Sequence, residues 1–174
     1  MVEVISRLIF PRVVALITTC DRSGRTNVAS FSFLMPVSFE PKYIAFSVAP
    51  ERHTFKNLNE VKEFVVNIPS EEMLKEVWIC GTKSGRDFNK FALSGLETEK
   101  SLKVLPPRIK SCPVNLECIV EFMERFGDHY IIVGRVVEEH VSQIDFKPIL
   151  HYSGKIFYKI GEKVSVENSL KRVY

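Results

Sequence analysis

Residues Asn27 to Met35, reading NVASFSFLM, place small hydroxyls on one face of an apolar strand. Strict alternation sends Val28, Ser30, Ser32 and Leu34 one way and Ala29, Phe31, Phe33 and Met35 the other. Two serines on one side of such a strand imply that their hydroxyls are paired, or that they leave room for something flat and polar. The next apolar run, Tyr43 to Ala49, repeats the pattern with Ala45, Ser47 and Ala49 opposite Ile44, Phe46 and Val48.

Working outward, Val13 to Thr19 is rich in β-branched residues and ends in the turn cluster Asp21-Arg22-Ser23-Gly24, a strand and hairpin leading into the serine strand. Pro36 and Glu40-Pro41 are expected to end the second strand, and three consecutive strands then read as an antiparallel meander. From Thr54 the apolar spacing of Phe55, Leu58 and Val61 predicts a short helix with Thr54 as its cap. Phe64 to Ile68 returns to strand character. Ser70 opens a second helix whose buried stripe is expected to be Met73, Leu74, Val77 and Trp78. Gly81 to Gly85 breaks it, and Arg86 to Ala92 supplies another turn or two. Glu97 to Lys103 and Pro106-Pro107 read as the most exposed stretch. Two long strands, Val114 to Glu124 and Tyr130 to Val141, flank a Gly127-Asp128 turn, and Leu150 to Ile160 alternates as one final strand. Six or seven antiparallel strands with two or three short helices favour a closed or partly closed barrel over a doubly wound sheet.

Length and composition bound the function. The 174 residues fit one domain spanning 1–174, and 45% hydrophobic content supports a large core. A net charge of +3, from 24 basic and 21 acidic residues, is too balanced for a general affinity for nucleic acid. No apolar run approaches the roughly 20 residues that cross a bilayer, so no membrane association is expected. Cys20, Cys80, Cys112 and Cys118 form no CxxC pair, and no secretory leader opens the chain. They read as free thiols in a reducing cytoplasm. The histidines and cysteines show no metal-ligand spacing, and no metal site is expected.

Pro50-Glu51-Arg52-His53-Thr54 precedes a helix start, where free N–H groups and a forked cation favour an anion. The plainer alternative is a capping Thr54 and a solvated Arg52. With the serine strand beside it, the segment makes a flavin, ring and phosphate together, the fitting ligand. Asn27 is either a turn-stabilising amide or a ligand contact, and His129 beside Asp128 either an idle turn residue or the catalytic-site histidine, held near a bound ring or nicotinamide. Asp87 and Lys90 either pair along a helix or point at the cofactor. No GxGxxG follows a strand, and GxxxxGK[ST] and GxSxG are missing, so a nicotinamide donor would bind over the flavin itself.

The pieces VALITTCDRSGRTNVASFSF, PERHTFKNL, EFVVNIP, DFNKF, GDHYIIVGRVV and ILHYSGKIFYKIG, in this order from Val14 to Gly161, resemble the flavin reductase-like family. These are the FMN-binding split barrels that include flavoredoxin and the small reductase components of two-component monooxygenases. The resemblance implies a mainly β, antiparallel, Greek-key-like split barrel of six or seven strands, with FMN lying between strands of a homodimer. It implies that Arg52, Thr54, Ser30 and Ser32 meet the phosphate, with Lys90 approaching it, although this chain reads DFNKF with two residues between Asp87 and Lys90. Backbone from Asn27, Val28 and Ala29 and from Ser47, Val48 and Ala49 would line the isoalloxazine, with Tyr152 and His129 near it. The activity implied is reduction of FMN by NADH or NADPH, with free flavin, ferric iron or a partner protein as acceptor. Two alternatives stay open. One is a flavoredoxin-like electron carrier with a protein redox partner and no useful nicotinamide site. The other is a barrel used only for binding, through the basic and aromatic face Lys155, Phe157 and Lys159.

Overall fold

The computed structural model describes residues 4–165. One helical turn, α1 (Ile5–Leu8), precedes strands β1 (Arg12–Val13), β2 (Ala15–Cys20), β3 (Thr26–Phe31), β4 (Leu34–Phe39) and β5 (Lys42–Val48). Helix α2 (His53–Glu60), strand β6 (Glu63–Ile68), a 3-10 turn (Glu71–Met73), and helices α3 (Leu74–Thr82) and α4 (Lys90–Ser94) follow. Strands β7 (Thr98–Glu99), β8 (Arg108–Ile109), β9 (Val114–Phe126), β10 (His129–Val141), β11 (Leu150–Ser153) and β12 (Ile156–Tyr158) complete the described chain.

Seven strands form one antiparallel sheet in the order β3-β2-β6-β9-β10-β5-β4. Its two outermost strands, β3 and β4, are consecutive in sequence and separated only by Ser32 and Phe33. The sheet must therefore curl until its ends meet at that corner, where the Ser47 N–H donates to the Phe33 carbonyl at 3.0 Å. This split barrel is the expected fold class, but not the expected meander: β2–β3 and β4–β5 are hairpins at opposite ends of the sheet. The corner also resets the alternation. Phe31 and Leu34, three residues apart, both pack against the barrel interior, so Leu34 leaves the face that Ser30 occupies. Pro36 lies within β4 rather than ending it, because the outermost strand has no ladder bond to lose there.

The barrel interior is built by Ile17, Ile44, Phe46, Val48, Phe64, Val66 and Ile132, with Leu58 of α2 among them. Gly134 permits the Phe64 ring, since a Cβ there would stand 2.4 Å from Phe64 Cζ. A second cluster, outside the sheet, packs Val14, Leu16 and Val28 against Met73, Val77 and Cys80 of the α3 segment. Strand β2 is buried on both faces, which explains its unbroken apolar run. The α3 stripe is thus Met73, Val77 and Cys80, while Leu74 and Trp78 turn outward.

The stretch expected to be most exposed does expose Glu97 to Lys100, Leu102 and Lys103, yet its backbone is pinned as a strap. Glu117 of β9, wholly buried, accepts hydrogen bonds from the Leu102 and Lys103 N–H groups at 2.9 and 2.6 Å and from His140 Nε2 at 2.7 Å. Asn67 holds the Ile109 N–H at 2.9 Å, and Thr18 Oγ1 donates to the Pro107 carbonyl at 2.6 Å. The final strand is instead the β11–β12 hairpin, turning at Gly154 with φ +56°. Of the expected basic and aromatic face, Phe157 packs on Trp78 and His151, while Lys155 and Lys159 are exposed, Lys159 lying 3.7 Å from Glu71.

Candidate functional site

The end of β3 and the Ser32–Phe33 corner after it wall three neighbouring cavities. Ser30 and Phe31 line the first, of about 320 Å³, together with Asn27, Ala29, the start of α2, the Gly81–Gly85 loop, Lys90 and His129. A second, about 170 Å³, lies between Ser30–Ser32, Trp78, His151 and Phe157. The third, about 330 Å³, is a mostly apolar shelf where Ser32, Phe33, Ala45, Ser47 and Ile131 meet Arg12. Ser47 is on it because Ala45 and Ser47 point out of the barrel while Ile44, Phe46 and Val48 point in.

The first cavity is cationic and hydroxyl-rich. Lys90 opens α4, whose Asn89 cap accepts from the Ala92 N–H at 3.2 Å. Its ammonium is buried and donates to the Cys80 carbonyl at 3.0 Å, and it has no carboxylate partner among the described residues. Burial pushes its pKa down to about 8, with Arg52 adding to the effect. Arg52 is the residue before α2 and is exposed, with Glu51 4.0 Å away. No side chain caps α2, so its first N–H groups also face an incoming anion. Thr54 is therefore not the cap. It lies inside the helix, buried, and its Oγ1 accepts from Asn27 Nδ2 at 3.3 Å, leaving its own proton for a ligand.

Hydroxyl protons divide the serines from Thr54. Ser30 donates its proton to the Val77 carbonyl at 2.6 Å, and Thr82 donates to the Trp78 carbonyl at 2.8 Å. A carbonyl cannot give a proton back, so Ser30 presents lone pairs, not the donor that phosphate contact asks of it. Ser32 pairs with His151 Nδ1 at 3.1 Å and lies outside the Lys90 cavity.

Of the residues singled out from sequence, Asn27, Ala29, Ser30, Arg52, Thr54, Lys90 and His129 share the first cavity. His129 Nδ1 pairs with Asp128 Oδ1 at 2.8 Å. Val28 packs in the α3 cluster and Val48 inside the barrel, so neither side chain lines a cavity. Ala49 is buried just past β5. Tyr152 stacks edge-on with Phe10, ring centroids 4.6 Å apart, and lines none of the three cavities.

Sequence reasoning missed His53, Arg12 and the Gly81–Gly85 loop. His53 is buried, and desolvation, then Arg25, lowers its pKa and keeps it neutral. Asn27 Oδ1 is buried without a hydrogen-bond partner among the described residues, and His53 Nδ1 has only the Gly85 backbone near it. Both abut Gly85, where a Cβ would lie 2.0 Å from Asn27 Oδ1, so only glycine lets the loop close over them. The available signal was the composition GTKSG, rich in the small and donor-bearing residues of anion-binding loops. Arg12 binds the Ser6 and Ile9 carbonyls and donates to the Tyr152 carbonyl at 2.6 Å, tying the α1 segment and β11 to the shelf.

Known proteins resemble this chain in sequence and fold. A protein of Archaeoglobus fulgidus is 34% identical over 149 residues, covering 83% of each chain. A flavin reductase of Pseudomonas putida is 27% identical, covering 83% of this chain and 81% of its own. Among solved structures, nitrilotriacetate monooxygenase component B from Bacillus cereus superposes with a TM-score of 0.86 at 25% identity, covering 93% of this chain and 90% of that one. Flavoredoxin from Methanosarcina acetivorans shares the fold with a TM-score of 0.86 at 23% identity, covering 97% and 95%. The flavin reductase like domain matches residues 6–160, nearly the whole barrel with its cationic cavity and shelf, and the chain belongs to that family.

Proposed function

We propose that this protein binds FMN and transfers a hydride to it from NADH or NADPH, for delivery to free flavin, ferric iron or a partner protein. The carrying observation is the Lys90 ammonium, buried with no carboxylate partner among the described residues, in a cavity near an apolar shelf. A buried cation of that kind is costly unless an anion completes it. The residues fit a flavin phosphate: Lys90 and Arg52 supply charge, Thr54 a free hydroxyl proton, and the start of α2 free N–H groups. The small faces of Ala45 and Ser47 leave room for a planar ring to lie close to the sheet.

When bound, the flavin supplies the hydride and electron chemistry. The chain's own residues bind and orient. Lys90 and Arg52 would fix the phosphate end, and the Ala45–Ser47 shelf would set the plane of the ring. His129, held by Asp128 at the cavity edge, would bound the nicotinamide approach. A homodimer is part of the proposal. Met35, Val37 and Phe39 lie exposed on β4, and an apolar outermost strand calls for cover.

Purified protein should be yellow or bind added FMN, and anaerobic NADH or NADPH should bleach it. Unchanged absorbance with both donors contradicts the reductase reading. Fast reduction by a ferredoxin-like protein, with none by nicotinamides, would select the electron-carrier alternative. Light scattering should give a dimer at micromolar concentration, and a monomer would count against the shared interface.

A further inference from the structure

We propose that His151 is a positioning residue that fixes the hydrogen-bonding polarity of Ser32, so that the cavities beside it accept the N–H edge of a planar heterocycle. The inference rests on the flavin reading above, and deepens it. His151 Nε2 lies 3.3 Å from the Gly154 carbonyl, which only accepts, so Nε2 carries the proton. In the uncharged ring Nδ1 is then an acceptor, and Ser32, 3.1 Å away, must give it the hydroxyl proton. Ser32 lines both the Trp78 cavity and the Ala45–Ser47 shelf. It therefore offers lone pairs to whatever occupies them, as Ser30 does permanently through Val77.

Taking up one proton at Nδ1 inverts this. Nδ1–H would donate to Ser32 Oγ, and the serine proton would swing toward the cavity, replacing an acceptor by a donor. An imide or carboxamide N–H would lose its partner and face a proton instead. The surroundings hold the ring uncharged. Burial comes first, and Arg12, directly across the β1–β11 register, adds to it, while the Gly154 carbonyl opposes both. The facing β12 residue is Phe157, and α3 lines the cavity with Val77, Trp78, Gly81 and Thr82, none of them charged. From α1, Arg7 Nε donates to Ser153 Oγ at 3.3 Å.

The test is FMN titration of the full chain from about pH 7.5 to about pH 5, comparing wild type with His151→Gln and Ser32→Ala. Glutamine offers an amide N–H and a carbonyl acceptor that do not titrate. Ionisation of the phosphate and of Lys90 affects all three proteins alike, so the ratio of affinities is read. The wild-type to His151→Gln ratio should be near one at the upper pH and fall about tenfold at the lower, the size of one hydrogen bond turned against its ligand. Wild type against Ser32→Ala should shift in the same direction. A flat ratio in both would overturn the proposal. Nitrogen NMR of unaltered protein should show the Nε2–H tautomer at the upper pH, and the Nδ1–H tautomer would overturn it without any variant. Failure of all three proteins to bind FMN at the upper pH would instead remove the flavin reading itself.

Discussion

Lys90 shows how one side chain ties stability to binding. Its folded pKa of about 8 lies below the ordinary 10.5, so between those values the unfolded chain holds more protons. Stability therefore rises with pH across that window, and below it the full penalty of burying the charge is present. Lys90→Met should raise the stability of the ligand-free protein by about 1 to 3 kcal/mol in denaturant unfolding. The same change should weaken FMN by about 1.5 to 3 kcal/mol, the worth of a charge-assisted hydrogen bond. A residue that merely packed would lose both together. In wild type, FMN affinity should fall as pH rises through about 8, because binding then requires proton uptake by a neutral amine. Affinity that holds steady above that pH would place the phosphate elsewhere.

Among the elements, the strap from Glu97 to Ile109 shows its side chains exposed much as its sequence reads, but local sequence did not reveal what holds its backbone. Glu97-Thr98-Glu99-Lys100 and Pro106-Pro107 carry every mark of an exposed loop, yet Glu117, Asn67 and Thr18 bind its backbone from strands distant in sequence. Nothing in a polar run announces a partner 15 residues away. Burial alone would raise the Glu117 pKa, but the Leu102 and Lys103 N–H groups and His140 outweigh it and hold it low. Its contribution is thus present above the ordinary carboxylate range and lost as pH falls through the lowered value. Glu117→Ala strands these donors and should cost about 2 to 4 kcal/mol in thermal or denaturant unfolding, with FMN affinity little changed. An effect under about 0.5 kcal/mol would show the strap to be held by other contacts. Alternation, by contrast, was read correctly wherever a strand ran straight: Ala45 and Ser47 do oppose Ile44, Phe46 and Val48. It failed at the Ser32–Phe33 corner and at Gly154, where the chain changes direction without a proline or an Asn-Gly pair to mark it.

At the scale of the whole molecule, the sheet closes because β3 and β4 are neighbours in sequence but outermost strands in space. The ordered motifs made that architecture legible, since no strand alone reveals its pairing. The cradle was legible in part: Arg52, Thr54 and Lys90 stood out as cations and hydroxyl, whereas His53 and Gly85 acquire meaning only when the loop folds over Asn27. Gly134 lies at a register shift between β9 and β10, the kind of irregularity that bends a strand, beneath the Phe64 ring. Gly134→Ala should destabilise the barrel by about 1 to 3 kcal/mol through overpacking, read as a lowered Tm. An unchanged Tm would mean that the Phe64 ring has another place to go.

The most direct measurement compares FMN with riboflavin, which lacks the phosphate, on wild type and on Lys90→Met. In wild type FMN should bind at least about tenfold more tightly, the equivalent of one charge-assisted contact, and in Lys90→Met that advantage should largely disappear while riboflavin binding stays the same. Equal affinity of the two flavins for wild type, or an FMN advantage that survives loss of the ammonium, would contradict the account.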